Sequence, residues 1–221
     1  MHQVLSFNLK TKLAGVSSKQ ASLAIVEDEK ALWAAFKNGD ENAFNSLYNL
    51  YIVQLYNYGE RLTGDKELIE DSIHDFLVEI WKNRTTISQV DAVKAYLFKG
   101  FKNRLVKNLN KKRRFPFNRV SDDYQFEIVF SPEFDLITDQ AVKDKKAKLL
   151  HTVNKLPPRQ KEALTLKFYD ELSYEQIALV MSLSVKSVYM LIFRAIDFLK
   201  KNLNKLVYIC SSNFFVFLQT I

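Results

Sequence analysis

The stretch IEDSIHDFLVEIW, residues 69–81, combines an apolar helical pattern with an almost purely acidic polar face. Its apolar side chains recur at helical spacing, which predicts an amphipathic helix with one buried face. They are Ile69, Ile73, Phe76, Leu77, Ile80 and Trp81. The acidic positions between them are Glu70, Asp71, Asp75 and Glu79. A solvated helix face normally mixes charges of both signs, so this face calls for a separate explanation.

Charge is segregated along the whole chain of 221 residues, whose net charge is +7. Residues 27–92 hold 13 acidic and 6 basic side chains, whereas residues 93–121 hold 10 basic side chains and no acidic one. Residues 122–139 reverse the balance, with 6 acidic side chains and no basic one. The basic excess favours a polyanionic partner.

The composition is that of a folded protein, with 48% hydrophobic and 26% charged residues. Only five glycines and four prolines are present, which disfavours a β architecture rich in hairpins. Cys210 is the single cysteine, so an intramolecular disulfide and a cysteine-based zinc site are excluded, and a reducing cytoplasm fits. We expect no cofactor.

Neither end of the sequence has the pattern of a signal peptide or a membrane span. Residues 1–20 lack a continuous apolar core. Residues 206–221 are apolar, but polar residues interrupt them and they are shorter than the about 20 residues that span a bilayer. We expect a cytoplasmic protein without membrane insertion, in which this tail either packs on the fold or binds a partner.

Helical periodicity predicts four helices in the first half of the chain, enough to close one core. Gly39 ends the first helix, and Asp40 can cap the second. The third contains the acidic face. The fourth runs from about Asp91 to Arg114 and carries the basic block.

Residues 115–131 break the periodicity and mix proline, acids and scattered aromatics, so we interpret them as an irregular acidic linker. A new helix is predicted beyond it, with Ser131 as its N-cap and Pro132 at its first position. The predicted organisation is an N-terminal extension, a four-helix domain, the linker, a second helical domain and an apolar tail, at residues 1–26, 27–114, 115–131, 132–206 and 207–221.

The second domain contains two short capped helices joined by a tight turn, which is the pattern of a helix-turn-helix. Ser173 and Gln176 fit a capping box, and Ser184 caps a helix that begins at Val185. The apolar residues that would join the two helices are Ile177, Ala178, Val180, Val188, Ile192 and Ala195. Those that would face away are Lys186, Ser187, Tyr189, Met190 and Phe193, with Arg194 near the rim. The alternative is an ordinary helical hairpin whose apolar stripe is only core.

The second helix of this pair is poor in polar groups for a DNA-reading helix. Met190 and Leu191 cannot hydrogen-bond base edges, whereas bidentate readout needs arginine, lysine, asparagine or glutamine. Tyr189 or Met190 could touch a thymine methyl group. This weakness indicates that the unit depends on a second DNA contact elsewhere in the chain.

The order of these motifs resembles the extracytoplasmic-function group of the sigma-70 family, the bacterial RNA polymerase initiation factors. The first half carries GDENAFNSLYNLY, IEDSIHDFLVEIW and YLFKGFKNRLVKNLNKKRR. The second half carries LPPRQKEALTLKFYDELSYEQIALVMSLSVKSVYMLIFRA. The resemblance covers about residues 30–203 and implies an all-α fold of two helical domains. These are a four-helix sigma region 2 and a helix-turn-helix sigma region 4, joined by the acidic linker.

The resemblance implies that the acidic helix docks on the coiled coil of clamp helices in the largest polymerase subunit. The residues that fall on the family's docking motif are Glu70, Asp71, His74 and Asp75. His74 stands where many members have glutamine. An acidic face can steer and orient onto a basic coiled-coil surface.

The resemblance also implies that the basic helix reads the −10 element and holds the melted strand. Asn103 aligns with a family asparagine, and the cations placed to neutralise phosphates are Lys99, Lys102, Lys107, Arg113 and Arg114. Tyr96, Phe98 and Phe101 offer faces for unstacked bases, with packing in the core as the alternative. The loop NRTTISQV, residues 83–90, corresponds to the family's base-capture loop.

By the same resemblance, the helix-turn-helix reads the −35 element through residues 184–201. Its DNA-binding candidates are Lys186, Ser187, Tyr189, Met190 and Arg194. The acidic linker either threads the RNA-exit path of the polymerase or is a plain tether. The implied partners are core RNA polymerase, promoter DNA and an anti-sigma factor.

Two other functional classes compete with this interpretation. A stand-alone helix-turn-helix regulator would use its first half to bind an effector or to dimerise, but such a half needs neither an acidic docking helix nor an adjoining basic helix. An enzyme is disfavoured because His2, His74 and His151 are scattered and no glycine-rich phosphate loop is present.

Overall fold

The computed structural model describes residues 20–112, 125–128 and 140–203, with side chains at 29–112, 125–128 and 147–203. These residues form eight α-helices and no β-strand, so the all-α prediction is confirmed. In chain order the helices are α1 (Gln20–Lys37), α2 (Glu41–Leu62), α3 (Lys66–Lys82), α4 (Val93–Lys112), α5 (Gln140–Asn154), α6 (Pro158–Phe168), α7 (Tyr174–Met181) and α8 (Val185–Asn202).

Local sequence signals set the boundary between α1 and α2. Gly39 has a φ of +91°, a left-handed conformation that glycine adopts without strain after the end of a helix. Asp40 accepts hydrogen bonds from the backbone N–H groups of Asn42 and Ala43, at 2.8 and 3.2 Å, and so caps α2. Both predictions are confirmed. Helix α1 is longer than predicted, because it begins at Gln20, inside the segment interpreted as an N-terminal extension.

The first four helices share one apolar core. Its largest buried side chains include Trp33, Phe36, Tyr51, Tyr58, Phe98 and Phe101. The acidic helix α3 and the basic helix α4 approach each other closely at Gly100, where a Cβ atom would lie 2.8 Å from Cζ of Phe76. Glycine therefore lets α4 pack directly on the buried face of α3. This contact fixes the acidic and basic surfaces relative to each other.

The second half contains the predicted helix-turn-helix. The backbone N–H of Ser173 donates to Gln176 Oε1 at 2.8 Å, and the N–H of Gln176 donates to Ser173 Oγ at 3.2 Å, which completes the capping box of α7. Ser184 caps α8 by accepting from the N–H of Ser187 at 3.1 Å. All six residues predicted to join the two helices are buried: Ile177, Ala178, Val180, Val188, Ile192 and Ala195.

Several predictions concern residues outside the described ranges. These are the helix start at Ser131 and Pro132, most of the acidic linker, and the apolar tail. Of the helices that the structure does describe, none is by itself long and apolar enough to cross a bilayer. Helices α7 and α8 meet that criterion only as a pair, which bends by 101° at the turn between them.

The two halves of the chain pack against each other. Helix α4 of the first half contacts α7 of the second. Phe126, from the linker, is fully buried with its ring centroid 6.1 Å from that of Tyr58. The sequence predicted two domains and a linker, and the structure adds a direct contact that involves the basic helix.

Candidate protein and nucleic-acid interfaces

The four predicted docking residues lie together on the exposed side of α3, and we call them the docking face: Glu70, Asp71, His74 and Asp75. They occupy successive turns opposite the buried residues Ile69, Ile73 and Phe76. Among the described residues, none of the four has a salt-bridge partner. The docking face therefore presents negative charge that the rest of the described fold does not pair.

Val78 extends the docking face by one turn, and sequence reasoning missed it. Its side chain is 36% exposed and follows His74 by four residues. An exposed apolar side chain beside charged ones suits the centre of an interface, where it would lose its contact with water. The helical repeat could have assigned Val78 to the docking face. Val78 lies between the apolar pairs at 76–77 and 80–81, on the side of the helix that carries the acidic residues.

The basic helix α4 and the predicted base-capture loop line one open groove of about 300 Å³. The loop contributes Asn83 and Ile87, and α4 contributes Tyr96, Asn103 and Lys107. Phe76, Glu79, Ile80, Gly100 and Arg104 complete the lining. Asn103 and Lys107 are exposed and one turn apart. The structure thus brings together two elements that the sequence placed in separate segments.

Lys102 does not lie on this groove. It is 6% exposed, and its Nζ lies 2.7 Å from Oε1 of Glu162, on α6. The physical reason is helical phase, because Lys102 follows Phe98 by four residues and so lies on the side of α4 that faces the second half. The expectation that Lys102 contacts phosphate does not hold for this conformation.

Two of the three proposed base-stacking rings belong to the core. Phe98 and Phe101 are fully buried, so they cannot stack on a base, and the alternative of core packing is correct for both. Tyr96 is partly exposed at the groove and packs edge-on against Trp33, with ring centroids 5.3 Å apart. Arg113 and Arg114 lie outside the described residues. Lys99 is half-buried on α4.

The outer face of α8 is exposed as predicted, and three of its six residues are aromatic or apolar. The exposed residues are Lys186, Ser187, Tyr189, Met190, Phe193 and Arg194. Tyr189 stacks on Tyr174 of α7 with ring centroids 3.8 Å apart and planes 13° apart, and the Nζ of Lys167 lies 4.7 Å from the centroid of Tyr174. Ser187 is hydrogen-bonded to the cap residue Ser184, with 2.7 Å between their Oγ atoms. The stack holds the Tyr189 ring in one orientation at the centre of the surface.

A cluster of polar side chains joins the two halves, and we call it the interdomain cluster: Tyr58, Arg61, Lys94, Lys102, Glu162 and Asp170. Glu162 is fully buried, and its Oε1 accepts hydrogen bonds from the Tyr58 hydroxyl and from Lys102 Nζ. Arg61 Nη1 lies 3.8 Å from Asp170 Oδ2, and Lys94 Nζ donates to the Asp170 backbone oxygen at 2.6 Å. The cluster therefore pairs charges of α2 and α4 with charges of the helix-turn-helix half.

Burial changes the acid–base behaviour of this cluster. It raises the pKa of the Asp170 carboxyl from 3.8 to about 6, although the charges of Arg61 and Lys94 oppose the change. It also raises the pKa of the Tyr58 hydroxyl, with the nearby Glu162 as the next cause. Asp170 thus ionises less readily in the folded chain than in water.

The pKa of Asp170 predicts a pH dependence of stability. The native carboxyl keeps its proton up to about pH 6, whereas in the unfolded chain it loses it near 3.8. The contribution of this group to the free energy of unfolding should therefore fall as the pH rises from about 4 to about 6, by about 3 kcal/mol, and stay level above. Urea denaturation at several pH values measures this contribution. The variant Asp170→Asn has no carboxyl to titrate at this position, so its free energy of unfolding should not show this decrease. The matched control is Glu171→Gln, at an exposed neighbour. Parallel pH profiles for wild type and Asp170→Asn would contradict the assignment.

Over the described ranges, no group of histidine, cysteine, aspartate and glutamate side chains is arranged to hold a metal ion. The chemistry that these surfaces offer is binding: an acidic docking face, a groove beside a basic helix, and an aromatic surface on α8.

Known proteins match both halves of the chain. A sequence profile of sigma-70 region 4 matches residues 146–199, which include α6, α7 and most of α8. The RNA polymerase sigma-H factor of Pseudomonas aeruginosa is 26% identical over 193 residues, covering 82% of this chain and 96% of that protein. The ECF RNA polymerase sigma factor SigM of Bacillus subtilis is 25% identical over 165 residues, covering 73% of this chain and 95% of that protein. Both relatives are matched over nearly their whole length.

Two solved structures share the fold. CnrH, in complex with the cytosolic domain of CnrY, superposes with a TM-score of 0.53 at 22% identity and covers 78% of this chain and 95% of that one. The sigma factor RpoE of Bartonella quintana, in complex with the anti-sigma factor NepR, superposes with a TM-score of 0.52 at 19% identity, covering 73% and 97%. Residues 146–199 thus match sigma-70 region 4, and over most of its length the chain is similar to extracytoplasmic-function sigma factors.

Proposed function

We propose that this chain is a sigma factor, which binds core RNA polymerase through the docking face, directs it to promoters and assists strand opening with the groove beside α4. Sigma factors are initiation factors without catalytic activity, so the chain is not an enzyme. The proposed place of action is the cytoplasm, where the polymerase works.

One observation carries the proposal: two surfaces of opposite character are fixed on one rigid four-helix half. The docking face presents unpaired carboxylates on α3, and the groove presents Asn103 and Lys107 on α4. Helices α3 and α4 are packed together at Gly100, so a polymerase held by the first surface sets the position of DNA at the second. A stand-alone regulator has no use for this pairing.

The groove has the chemistry to hold an unstacked base. Tyr96 offers a partly exposed ring, and stacking on an aromatic side chain stabilises a base by about 1–3 kcal/mol. The amides of Asn83 and Asn103 supply both donors and acceptors for a base edge. Lys107 lies at the same groove and can neutralise the adjacent phosphate.

The helix-turn-helix is proposed to read the upstream element with shape and apolar contacts more than with hydrogen bonds. Tyr189 is held by its stack on Tyr174, so its ring and Met190 can meet thymine methyl groups in the major groove. Lys186 and Arg194 flank them and are placed for phosphates. Ser187 is engaged with the cap of α8, which orients the start of the helix.

An anti-sigma factor is the proposed regulatory partner. RpoE is solved with the anti-sigma factor NepR bound, and the fold of that chain is shared here. The exposed apolar residues of α8 would suit such a partner when no DNA is present: Tyr189, Met190 and Phe193 are 50%, 42% and 66% exposed.

Footprinting of a promoter tests this division of labour. The chain alone should protect duplex DNA weakly, whereas the complex with core polymerase should protect two elements upstream of the start site. Lys186→Ala with Arg194→Ala should remove protection of the upstream element, because these are the cations of its reading face, while core binding stays intact. Unchanged upstream protection by this variant would show that other residues read the element. Strong, selective footprints by the chain alone would favour the stand-alone regulator.

A further inference from the structure

Two stacked tyrosine rings lie on the outer surface of the helix-turn-helix. Tyr174 is the first residue of α7 and Tyr189 lies in the second turn of α8, and their ring centroids are 3.8 Å apart with planes 13° apart. We propose that Tyr174 is a positioning residue, which fixes the Tyr189 ring so that it reads the 5-methyl group of a thymine in the upstream element. The inference rests on the proposed function, because it requires the outer face of α8 to lie in the major groove.

The ring of Tyr174 is itself held by the preceding helix. Lys167, near the end of α6, has its Nζ 4.7 Å from the centroid of the Tyr174 ring, a distance at which a cation is attracted to an aromatic face. The same Nζ donates to the backbone oxygen of Leu172 at 3.2 Å, in the loop that leads into α7. Tyr174 is also half-buried. Side chains of α6, α7 and α8 thus meet in one stack, which restrains Tyr189 from two other helices.

The Tyr189 side chain remains available for a contact beyond this stack, because it is 50% exposed. Met190 and Phe193 are exposed on the same face of α8, at 42% and 66%. Ser187 is already hydrogen-bonded to the cap residue Ser184, with 2.7 Å between their Oγ atoms. The centre of this face therefore offers rings and a thioether, and not the amide or guanidinium groups that read base edges by paired hydrogen bonds.

A surface of this chemistry selects thymine in the major groove. The 5-methyl of thymine is the apolar group that distinguishes one base pair from another there. An apolar contact has no preferred direction of its own, so the position of the ring decides which base pair is read. A freely rotating tyrosine would also lose side-chain entropy on binding, and a ring that Tyr174 already holds avoids most of that cost. The stack therefore makes an apolar contact specific.

The test uses one promoter that core polymerase transcribes with this chain, prepared with either thymine or deoxyuridine on both strands of the upstream element. Deoxyuridine lacks only the 5-methyl group and keeps every hydrogen-bonding group of thymine. Competition between the two forms for the assembled complex of chain and core polymerase gives the methyl ratio, which is the affinity for the thymine form divided by that for the deoxyuridine form. For one contacted thymine, the wild-type methyl ratio should be about 4, the effect of burying one methyl group.

Tyr189→Leu removes the reading ring and Tyr174→Leu removes the ring that holds it, so both variants should bind the two forms equally. Tyr189→Phe and Tyr174→Phe keep the rings and should restore the wild-type methyl ratio. A purely structural role of Tyr174 would instead weaken binding of both forms alike in Tyr174→Leu and leave the ratio unchanged. If Tyr174→Leu does not fold, Tyr174→Met replaces it, with the same expected result.

Leu179→Ala is the matched control, because Leu179 is 41% exposed and its replacement also removes apolar surface from α7. It should keep the wild-type methyl ratio. Three results would overturn the proposal: equal binding of the two forms by wild type, a wild-type ratio in Tyr174→Leu or its methionine substitute, and loss of the ratio in Leu179→Ala.

Lys186→Ala with Arg194→Ala separates this inference from the proposed function. This variant should weaken binding of both forms alike and keep the methyl ratio, because phosphate contacts carry no sequence information. If it weakens binding while wild type does not distinguish the two forms, α8 contacts the DNA and the reading of thymine by Tyr189 is wrong. If neither the variant nor deoxyuridine changes binding, α8 does not contact the upstream element and the proposed function of the helix-turn-helix fails as well.

Discussion

Reversing the charge at Asp71 and Asp75 is expected to weaken binding of the chain to core RNA polymerase by about 100-fold or more. Both carboxylates are exposed on the docking face and lack salt-bridge partners in the described fold. Two lysines there would face the basic surface that the acidic face complements, and like charges brought together at an interface cost several kcal/mol. A loss of about 2.7 kcal/mol is already 100-fold in affinity.

The fold should tolerate this change, because exposed substitutions usually alter the free energy of unfolding by no more than about 0.5 kcal/mol. Competition against a labelled sigma factor for core polymerase measures the affinity, and urea denaturation measures stability. The matched control reverses two exposed acids of the second half, Glu171 and Glu175, and should bind core polymerase normally. Equal affinities for the docking variant and wild type would remove the docking assignment.

Replacing Lys99 and Lys107 with alanine is expected to flatten the salt dependence of open-complex formation. Each phosphate neutralised on a single strand contributes about 0.7 to the slope of log affinity against log salt, so losing two contacts should lower the slope by about 1.4. At 0.1 M salt this corresponds to an affinity about 25-fold weaker. The measurement is a salt titration of the polymerase complex on a pre-melted promoter.

Asn103→Ala is the neutral comparison for this pair, since it lies between them on α4 and carries no charge. It should reduce affinity or opening through lost hydrogen bonds while leaving the slope nearly unchanged. A slope for Lys99→Ala with Lys107→Ala equal to that of wild type would show that these lysines do not contact phosphate. The basic block would then need another partner.

The elements that local chemistry decides could be predicted from the sequence. Asp40, Ser173 and Ser184 cap their helices because a side-chain oxygen reaches an N–H two or three residues away, which spacing alone reveals. The exposed side of α3 follows in the same way from the helical repeat. The apolar residues of α8 that pack on α7 could also be assigned, because they follow the helical repeat within a single helix.

The interdomain cluster could not be predicted, because its partners are distant in sequence. Glu162 lies within a polar stretch at the start of α6, which is typical of a solvent-exposed surface. The helical repeat does not indicate that it contacts Tyr58 or Lys102. Lys102 was assigned to DNA since it belongs to a basic block, but charge composition does not say which side of a helix faces solvent. The same holds for Phe98 and Phe101. An aromatic residue on an amphipathic helix can either pack in the core or stack on a base, and only the tertiary packing shows which.

Transcription of genomic DNA fragments by purified core polymerase, with and without this chain, distinguishes an initiation factor from a stand-alone regulator. We expect discrete transcripts that start a fixed distance downstream of a shared two-part sequence, and only when both proteins are present. The variant with Asp71 and Asp75 reversed should yield none. If the chain adds no transcripts to core polymerase, yet binds selected DNA sites tightly by itself, it is a stand-alone regulator and the account of it as an initiation factor is wrong.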